Sequence, residues 1–412
     1  MRKLVTRKGL LLTLAITLAM PWNATAIHKA DQSTRLEAFI HGTPHVGIEW
    51  LLVRSLVEIT QGKLDEALND VDSVISRVPN FKLAYLVRGD LLQAKAHQIS
   101  GFGVASNAPS AEIEDFQQEA HARLERYIAH DARVPGDIWQ LYPSQRYAIV
   151  VDTAKSRLYL YRNENGKPAY VADYYVTVGK NGTEKQQEGD KKTPLGVYFT
   201  GKQLDKEKLP DLYGSAAYPL SYPNEWDERQ GKTGHGIWLH GSPSDTYSRP
   251  PRSSDGCVVL TNTDILSLAP VLQNGATPVV IARDENGESN EEGSITSEQR
   301  EALLNELEAW RLHWQQQDTD RYLQHYSRDF FTQNMDLAKW SAEKRRIQQR
   351  KVNVSINLSD VSVFRNPDPH RKMVVVNFNQ DYRADSFSHE MRKRQYWELE
   401  DGHWKILYEG AV

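Results

Sequence analysis

The spacing of hydrophobic residues changes twice along this chain of 412 residues and divides it into three regions. From about residue 33 to 130, apolar side chains recur every three or four positions, as in amphipathic helices. From Tyr147 to about residue 281, short apolar or alternating runs lie between glycines and prolines, which is typical of β-strands. From Ser297 onwards helical spacing returns and then gives way to strand-like runs.

The first region is predicted to contain at least four helices, over 50–60, 64–77, 81–96 and 111–130. Gln61-Gly62-Lys63 separates the first helix from the second, and Pro79 ends the second helix. Ala67 and Pro79, with the glycine turn between paired helices, resemble one tetratricopeptide unit. Because stable arrays need about three repeats, a plain helical bundle remains the alternative. We expect residues 27–140 to form this helical, tetratricopeptide-like region, a kind of module that commonly serves docking or dimerisation.

The second region is predicted to be a mostly β domain over residues 146–283. A β-branched run at 147–152, an alternating run at 157–161 and a strand at 169–178 form a meander of hairpins, with a turn at Asn163-Glu164-Asn165-Gly166. Further predicted strands cover 196–200, 236–240, 258–260 and 277–281. Five acidic residues between 284 and 292 then indicate a solvated linker over residues 284–296.

The third region, residues 297–412, is predicted to be an α+β domain. Ser297 is a plausible N-cap of its first helix. Helices are predicted over 297–317, 319–326 and 337–351, and strands over 352–358, 361–364, 373–382, 394–399 and 404–408. Helices followed by an antiparallel sheet are typical of an α+β cone or sandwich.

Residues 1–26 have the pattern of a cleaved secretory signal peptide. Four basic residues precede an apolar segment at 10–20 that is too short to span a bilayer comfortably, and Ala24-Thr25-Ala26 is a small-residue cleavage site. An uncleaved membrane anchor is the alternative. Removing this segment leaves 46 Lys and Arg against 54 Asp and Glu, a net charge of −8. This acidic balance gives no support for nucleic-acid binding, and no later segment predicts a membrane span.

Cys257 is the only cysteine, and His240-Gly241 lies seventeen residues before it. A lone thiol in an oxidising compartment is either a buried inert side chain or a group kept for chemistry. A thiol at its ordinary pKa is only a few per cent thiolate and needs a base, for which His240, at the end of a predicted strand, is the candidate. Gly256 permits close approach of substrate, and the amides of Gly256 and Cys257 are candidate donors to an oxyanion.

Other polar residues near these two are candidate substrate contacts. His235 has odd spacing from His240, so we expect it on a loop or rim that lines a substrate groove. A zinc site built from His235, His240 and Cys257 would lack a fourth ligand, and we expect no metal or organic cofactor. Several basic residues are candidates for binding substrate carboxylates, with ordinary solvated loop charges as the alternative. They are Arg249, Arg252, Lys191 and Lys192.

The second region resembles the L,D-transpeptidase (YkuD-type) catalytic domain. The motifs that carry the resemblance are Ile149-Val-Val-Asp152, Arg157-Leu-Tyr-Leu-Tyr161, Val176-Thr-Val-Gly-Lys180, Thr193-Pro-Leu-Gly196, Ile237-Trp-Leu-His240-Gly241 and Ser254-Asp-Gly-Cys257. The resemblance implies a β-rich fold and a cysteine acyl-enzyme on peptidoglycan stem peptides, attacked after meso-diaminopimelate. It also implies that Cys257 is the nucleophile, that His240 is the base and that the Gly241 carbonyl orients the imidazole.

Two positions depart from the family pattern. Asp255 stands where the family usually has histidine, and Val259 stands where it often has arginine. The missing histidine puts one oxyanion or substrate contact in doubt. A carboxylate that pointed inward would raise the pKa of the thiol, so we expect Asp255 to point away or to bind a substrate ammonium. The predicted substrate contacts are therefore His235, Arg252, Ser254 and Asp255.

The third region resembles NTF2-like (SnoaL-like) domains, which form a cone with an apolar pocket. The resemblance rests on Glu308-Ala-Trp310, Trp314, Asp318, Tyr322-Leu, Tyr326, Phe330 and Trp404-Lys-Ile-Leu-Tyr408. We expect it to bind a ligand, glycan or partner. Its basic clusters, 344–346 and 392–394, are interpreted as solvated faces, with contact to an anionic wall polymer as the alternative.

The combined architecture resembles the cell-shape L,D-carboxypeptidase group. We therefore expect a periplasmic, cysteine-dependent L,D-transpeptidase that cross-links stem peptides or attaches a protein to them. The alternatives are an L,D-carboxypeptidase that trims stem tetrapeptides in cell-shape control, and a non-catalytic wall-binding scaffold. The expected partners are stem peptides, with a wall-attached protein or a dimer partner of the helical region as further possibilities.

Overall fold

The computed structural model describes residues 47–96, 110–128, 135–283, 295–349, 353–385 and 387–412. The predicted signal peptide and nearly all of the acidic linker lie outside these ranges. Within them, no helix combines the length and the apolar character that crossing a bilayer requires.

The N-terminal region is helical, as predicted. Its helices are α1 (Ile48–Thr60), α2 (Leu64–Arg77), α3 (Lys82–Lys95) and α4 (Ser110–Ile128). They bury one apolar cluster that includes Leu52, Val74 and Phe81. The tetratricopeptide character of these helices is not confirmed.

The predicted C-terminal boundary of the helical region, residue 140, is wrong. Residues 138–140 form strand β1 (Ile138–Gln140), which pairs antiparallel with a strand of the C-terminal domain, with Ile138 opposite Phe364. Three residues are too few to show a periodic pattern, so only the partner strand identifies them as a strand.

The middle region is mostly β, as predicted, and its main sheet has five strands in the order β4-β3-β2-β11-β6. These strands are β2 (Tyr147–Asp152), β3 (Arg157–Glu164), β4 (Lys167–Tyr175), β6 (Gly196–Phe199) and β11 (Pro278–Ala282). β2 and β11 run parallel, while the other pairs are antiparallel.

Two smaller sheets lie in the same domain, in the orders β10-β8-β7 and β5-β9. Their strands are β5 (Val178–Gly179), β7 (Ala217–Pro219), β8 (Trp238–His240), β9 (Arg252–Ser254) and β10 (Val258–Val259). Two short helices, α5 (Glu225–Arg229) and α6 (Asn262–Leu268), complete the domain.

The alternation along β3 predicts one buried and one exposed face, but residues 157–161 are all buried. Leu158 and Leu160 face the core of the middle region. Tyr159 and Tyr161 pack instead into a second cluster, which contains Phe364 and other residues of the C-terminal domain. The five-stranded sheet is therefore covered on both faces, the second one by its neighbour.

The C-terminal domain is α+β, as predicted, with helices α7 (Ser297–Gln315), α8 (Thr319–Gln324) and α9 (Leu337–Gln348). Its strands are β12 (Tyr326–Phe331), β13 (Val354–Asn366), β14 (Met373–Ala384), β15 (Phe387–Glu400) and β16 (His403–Ala411). With β1 they form a six-stranded sheet in the order β1-β13-β14-β15-β16-β12.

Three details of the C-terminal prediction are wrong. The N-cap of α7 is Thr296 rather than Ser297, because the Thr296 hydroxyl accepts from the Gln299 amide. The helix predicted over 319–326 ends at Gln324, and β12 begins at Tyr326. The two strands predicted over 352–364 are one strand, β13, whose register shifts between Ser359 and Ser362. The residues of this irregularity interrupt the strand pattern in the sequence and resemble a turn between two strands.

Candidate active site

Cys257 lies at the end of a glycine turn between β9 and β10, half-buried and with a free thiol. Gly256 has a φ of 125°, and a Cβ at this position would lie 2.8 Å from the Lys192 carbonyl oxygen. Glycine is therefore required in the turn. The buried Thr193 hydroxyl donates to the Gly256 carbonyl at 2.9 Å and accepts from the Gly179 amide at 2.8 Å. The loop around Thr193 thus holds the turn that presents the thiol.

The parallel pairing of β8 and β10 brings His240 next to this turn. Leu239 lies opposite Val258, and His240 lies opposite Val259. Cys257 directly precedes β10, so extending the register by one residue places it level with Trp238. Side chains two positions apart on a strand share a face, so the thiol and the imidazole project from the same side of this sheet.

His240 is oriented by the backbone of its own neighbour. Its ring is 3% exposed, and Nδ1 lies 2.6 Å from the Gly241 carbonyl oxygen. Because a carbonyl oxygen only accepts, Nδ1 carries the proton and Nε2 keeps a free lone pair. Gly241 is itself confined, since a Cβ there would lie 2.2 Å from Oδ1 of Asn262. The ring of Tyr213 packs edge-on against the imidazole, with centroids 5.1 Å apart.

The resting thiol and imidazole are both neutral. Burial raises the pKa of Cys257 to about 11, although the Trp238 amide and the charge of Arg249 oppose this rise. Burial lowers the pKa of His240 to about 4, against the hydrogen bond to Gly241. Near neutral pH the thiol therefore keeps its proton and the imidazole is free to accept one. This arrangement suits general-base activation at the moment of attack.

One of the two amides predicted as oxyanion donors, that of Gly256, already has a partner in this structure. The Gly256 amide donates to the Ser254 hydroxyl at 3.1 Å, and that hydroxyl donates to the Cys257 carbonyl at 2.6 Å. The Gly256 amide is therefore engaged within the turn rather than directed at a substrate. The thiol itself donates to the Gly236 carbonyl at 3.4 Å, and the Trp238 backbone amide acts to lower the thiol pKa.

The four predicted substrate contacts occupy different environments. Ser254 is 1% exposed and its hydroxyl is bonded within the turn, and its contact with substrate stays a prediction. Asp255 points outward with its side chain 76% exposed, and one of its oxygens lies 3.7 Å from Nζ of Lys191. Arg252, on β9, and His235, on the loop before β8, are both exposed.

Arg249, one of the four basic residues of the predicted group, carries a charge that acts to lower the thiol pKa. The charges of Cys257 and Asp255 both act on its guanidinium, whose pKa is lowered by burial. Tyr213 was not predicted, and it lies close enough to Cys257 for the thiolate charge to affect the pKa of the phenol. No motif in the sequence identifies Tyr213, because a loop from a distant part of the chain brings it to the site.

A buried ion pair borders the site on the loop before Thr193. Nζ of Lys185 lies 2.8 Å from Oδ1 of Asp190, and Asp190 also accepts from the amides of Gln186, at 2.7 Å, and Lys192, at 3.1 Å. The Lys185 charge acts to lower the thiol pKa. Among the residues that the structure describes, no group of three or more His, Cys, Asp or Glu side chains is placed to hold a metal ion.

The basic cluster at 392–394 is not a solvated face, contrary to the sequence interpretation. Lys393 is buried and paired with Glu409, and Arg394 is buried and paired with Glu225 of the middle domain at 3.0 Å. Neighbouring basic residues on a strand point to opposite faces of the sheet, and here both faces are covered by other parts of the protein. The cluster at 344–346 does lie at the surface, apart from the half-buried Lys344.

Two family models match this chain. Residues 146–281 match the L,D-transpeptidase catalytic domain, YkuD, and residues 302–410 match the Cds6 C-terminal NTF2-like domain. No curated protein matches the chain.

Solved structures similar to this chain come from two bacteria. Bd1075 of Bdellovibrio bacteriovorus is 27% identical over 68% of this chain and 98% of its own, with a TM-score of 0.58. The helical cell shape determining protein Pgp2 of Campylobacter jejuni is 28% identical over 68% of this chain and 96% of its own, with a TM-score of 0.57. A point mutant of Pgp2 is 27% identical over 68% of this chain and 94% of its own, also with a TM-score of 0.57.

The compared region is larger than either matched domain, so the likeness to these structures extends beyond a single domain. The turn with Cys257 and the strand with His240 both lie inside the first matched range. The middle domain of this chain therefore has the fold of YkuD-type L,D-transpeptidase catalytic domains, and its C-terminal domain has the fold of the Cds6 NTF2-like domain.

Proposed function

We propose that this protein is a periplasmic acyltransferase that acts on peptidoglycan stem peptides through an acyl-enzyme at Cys257. The observation that carries the proposal is the position of His240, on the strand beside the thiol and with Nδ1 held by the Gly241 carbonyl. Nucleophile, base and orienting group are thus present in one half-buried site. The YkuD family match supports peptidoglycan as the substrate.

The geometry supports the following sequence of proton and acyl transfers. Nε2 of His240 accepts the thiol proton as the sulfur attacks the carbonyl carbon on the C-terminal side of meso-diaminopimelate. The tetrahedral intermediate collapses, the carbon–nitrogen bond breaks, and the imidazolium returns the proton to the leaving amine. An amine or water then attacks the thioester, and the same imidazole removes its proton. The carbon–sulfur bond breaks, and the imidazolium returns the proton to the departing thiolate, which regenerates the resting enzyme. Because the His240 pKa is about 4, the base is neutral at any pH well above that value.

The residues around the thiol have distinct proposed roles. The Gly241 carbonyl stabilises the imidazolium that forms during attack, as a third group does in a triad. The Trp238 amide stabilises the thiolate, which its effect on the thiol pKa supports. The outward carboxylate of Asp255 is placed to bind a substrate ammonium, such as that of diaminopimelate.

Hydrolysis is the second candidate for the acyl-transfer step. The similar Pgp2 structure is named a helical cell shape determining protein, which favours a role in trimming stem peptides for cell shape. A water acceptor would make the enzyme an L,D-carboxypeptidase, whereas an amine acceptor would make it a cross-linking or protein-attaching enzyme.

The test is to incubate purified muropeptides with the wild type, Cys257→Ala and His240→Gln, and to separate the products by mass spectrometry. New dimers indicate transfer, and tripeptides formed from tetrapeptides indicate hydrolysis. We expect one of these products from the wild type and neither from the two variants. Identical products from all three proteins would exclude the acyl-enzyme and favour a non-catalytic wall-binding scaffold. Covalent labelling of the thiol by a carbapenem provides an independent measurement.

A further inference from the structure

We infer that the helical region is part of the catalytic site, because it positions Arg249 to bind a carboxylate of the substrate beside Cys257. The inference rests on the proposed function and adds to it a carboxylate-binding residue and a role for the N-terminal helices. The evidence for it is a set of contacts to the residues before Arg249 and to the Arg249 carbonyl, on the loop that leads from His240 to β9.

The guanidinium of Arg249 is suited to bind an anion next to the sulfur. Its side chain is half-buried, and Nη2 donates to the Ser253 carbonyl. A guanidinium has five N–H donors in a rigid fork, so this bond leaves donors for a carboxylate. Ser253 lies on β9, four residues before Cys257, so this bond holds the guanidinium against the strand that leads into the turn with the thiol. The influence of the Cys257 and Asp255 charges on the guanidinium pKa agrees with this position.

Helix α4 holds the residue that precedes Arg249. The Ser248 hydroxyl donates to Oε1 of Glu119 at 2.6 Å. Glu119 is 1% exposed and is paired at 3.0 Å with Arg123, one turn further along the helix. The acceptor of the Ser248 hydroxyl is therefore a fixed, buried carboxylate of the helical region.

The same helix supports the backbone of Arg249 from a second side. The Arg249 carbonyl accepts from the hydroxyls of Tyr175 and Thr177, each at 2.9 Å. The guanidinium of Arg123 stacks over the Tyr175 ring, 4.0 Å from its centroid. Arg123 thus connects the Glu119 contact with the Tyr175 contact.

The turn between α2 and α3 holds the start of this loop. The Asn80 side chain donates to the Ser244 carbonyl at 3.1 Å, and the Tyr247 amide donates to the Asn80 carbonyl at 3.3 Å. The rings of Phe81 and Tyr247 lie 4.7 Å apart. Two elements of the helical region therefore contact the loop over Ser244 to Ser248, directly before Arg249.

The test compares the rates at which iodoacetate and iodoacetamide alkylate Cys257, the only cysteine of the chain. Both reagents attack the thiolate, so their rate ratio cancels any change in the thiol pKa and reports the attraction of a carboxylate. We expect Arg249→Gln to lower the iodoacetate/iodoacetamide ratio about fivefold, the size expected for one charge at a partly solvated site. Ser248→Ala should also lower the ratio, but by less than Arg249→Gln does.

Two matched variants complete the design. Ser248→Thr keeps a hydroxyl and should restore the ratio towards the wild-type value. Arg162→Gln removes an exposed arginine that pairs with Glu164 at the surface, away from the site, and should leave the ratio unchanged. An unchanged ratio in Arg249→Gln would overturn carboxylate binding. A lowered ratio in Arg249→Gln together with an unchanged ratio in Ser248→Ala would overturn positioning by the helical region.

The alkylation readout is separate from the proposed acyl transfer. A wild type that produces no new muropeptide contradicts the proposed function, but its alkylation ratio still tests Arg249. Where muropeptides are converted, Ser248→Ala should raise KM with little change in kcat, because the reacting atoms are untouched. A matching fall in kcat with an unchanged KM would contradict a role in substrate binding. Thermal unfolding of each variant checks that the fold is retained.

Discussion

The catalytic domain contacts its two neighbours through different kinds of interaction. Towards the helical region it presents buried charges. Arg157, on β3, is 2% exposed; it pairs with Glu49 of α1 at 2.7 Å and with Asp173 of β4. Towards the C-terminal domain the same strand presents the apolar rings of Tyr159 and Tyr161. The buried ion pair of Arg394 with the middle domain also crosses this second interface, but it lies outside β3.

This difference follows from what each interface must do. An apolar contact contributes free energy in proportion to its area and tolerates small shifts. A buried ion pair contributes little net stability, but it is sensitive to the loss of one partner because the other charge is left without compensation. The helical interface is thus suited to hold a loop in one position, and the C-terminal interface is suited to hold two domains together.

The largest expected effect is that of Arg157→Ala. It leaves Glu49 and Asp173 buried without their main cation, which should lower the free energy of unfolding by about 3–5 kcal/mol. Urea unfolding followed by circular dichroism measures the change. Arg162→Ala, on the same strand but exposed, is the control and should change stability little. Equal effects of the two variants would mean that the ion pairs do not stabilise the helical interface.

The next effect is that of Ile138→Ala at the apolar interface. Ile138 is 3% exposed and lies on β1, in the cluster between the two sheets. Its truncation leaves a cavity and should cost about 2–5 kcal/mol. The same urea experiment measures it, with the exposed Val171→Ala on β4 as the control. A cost no larger than that of the control would show that this cluster does not join the domains.

As the pH falls, the interface with the helical region should weaken before the interface with the C-terminal domain does. Burial acts to raise the pKa values of Glu49 and Asp173, but the neighbouring arginines hold both below the ordinary values. The stability that these carboxylates contribute is therefore complete above their unfolded pKa of about 4 and is lost as the pH falls towards the folded values. The raised pKa values of Glu119, Asp264 and Glu58 act in the opposite direction. Their effect is complete once the pH has fallen below the unfolded values of about 4, whereas the loss from Glu49 and Asp173 continues below that pH.

Hydrogen exchange at pH 5 and pH 3, corrected for intrinsic rates, measures this difference. We expect protection to fall in α1 and α4 at the lower pH while β13 and β14 keep theirs. Simultaneous loss of protection in all four elements would show that the two interfaces open together and do not differ in acid sensitivity.

The smallest expected effect is at the thiol. The rate of alkylation of Cys257 by iodoacetamide should rise with pH towards about 11 without a plateau near neutral pH, because the thiol is protonated at rest. Glu225→Gln removes the carboxylate that pairs with Arg394 across the C-terminal interface, and it should leave this profile unchanged. A shifted profile in this variant would mean that the C-terminal interface also influences the site.

Much of the candidate site follows from local sequence. The Gly256-Cys257 turn needs glycine at a positive φ, and His240 ends a short strand before Gly241, so both features leave a pattern in neighbouring residues. The Gly241 carbonyl was predicted to orient the imidazole, and the structure places it against Nδ1. The engagement of the Gly256 amide by Ser254 was not predicted, because it depends on the rotamer of one hydroxyl.

The sequence by itself determined the order of the three regions and most of their helices and strands, and it identified Cys257 and His240 as the proposed nucleophile and base. These properties depend on periodicity and turn chemistry, which act between residues close in the chain. Only the tertiary structure decided that β3 is buried on both faces, that β1 joins the C-terminal sheet and that Arg249 lies beside the thiol. Each of these depends on a contact between distant segments, and no local pattern records which segment will cover a given face.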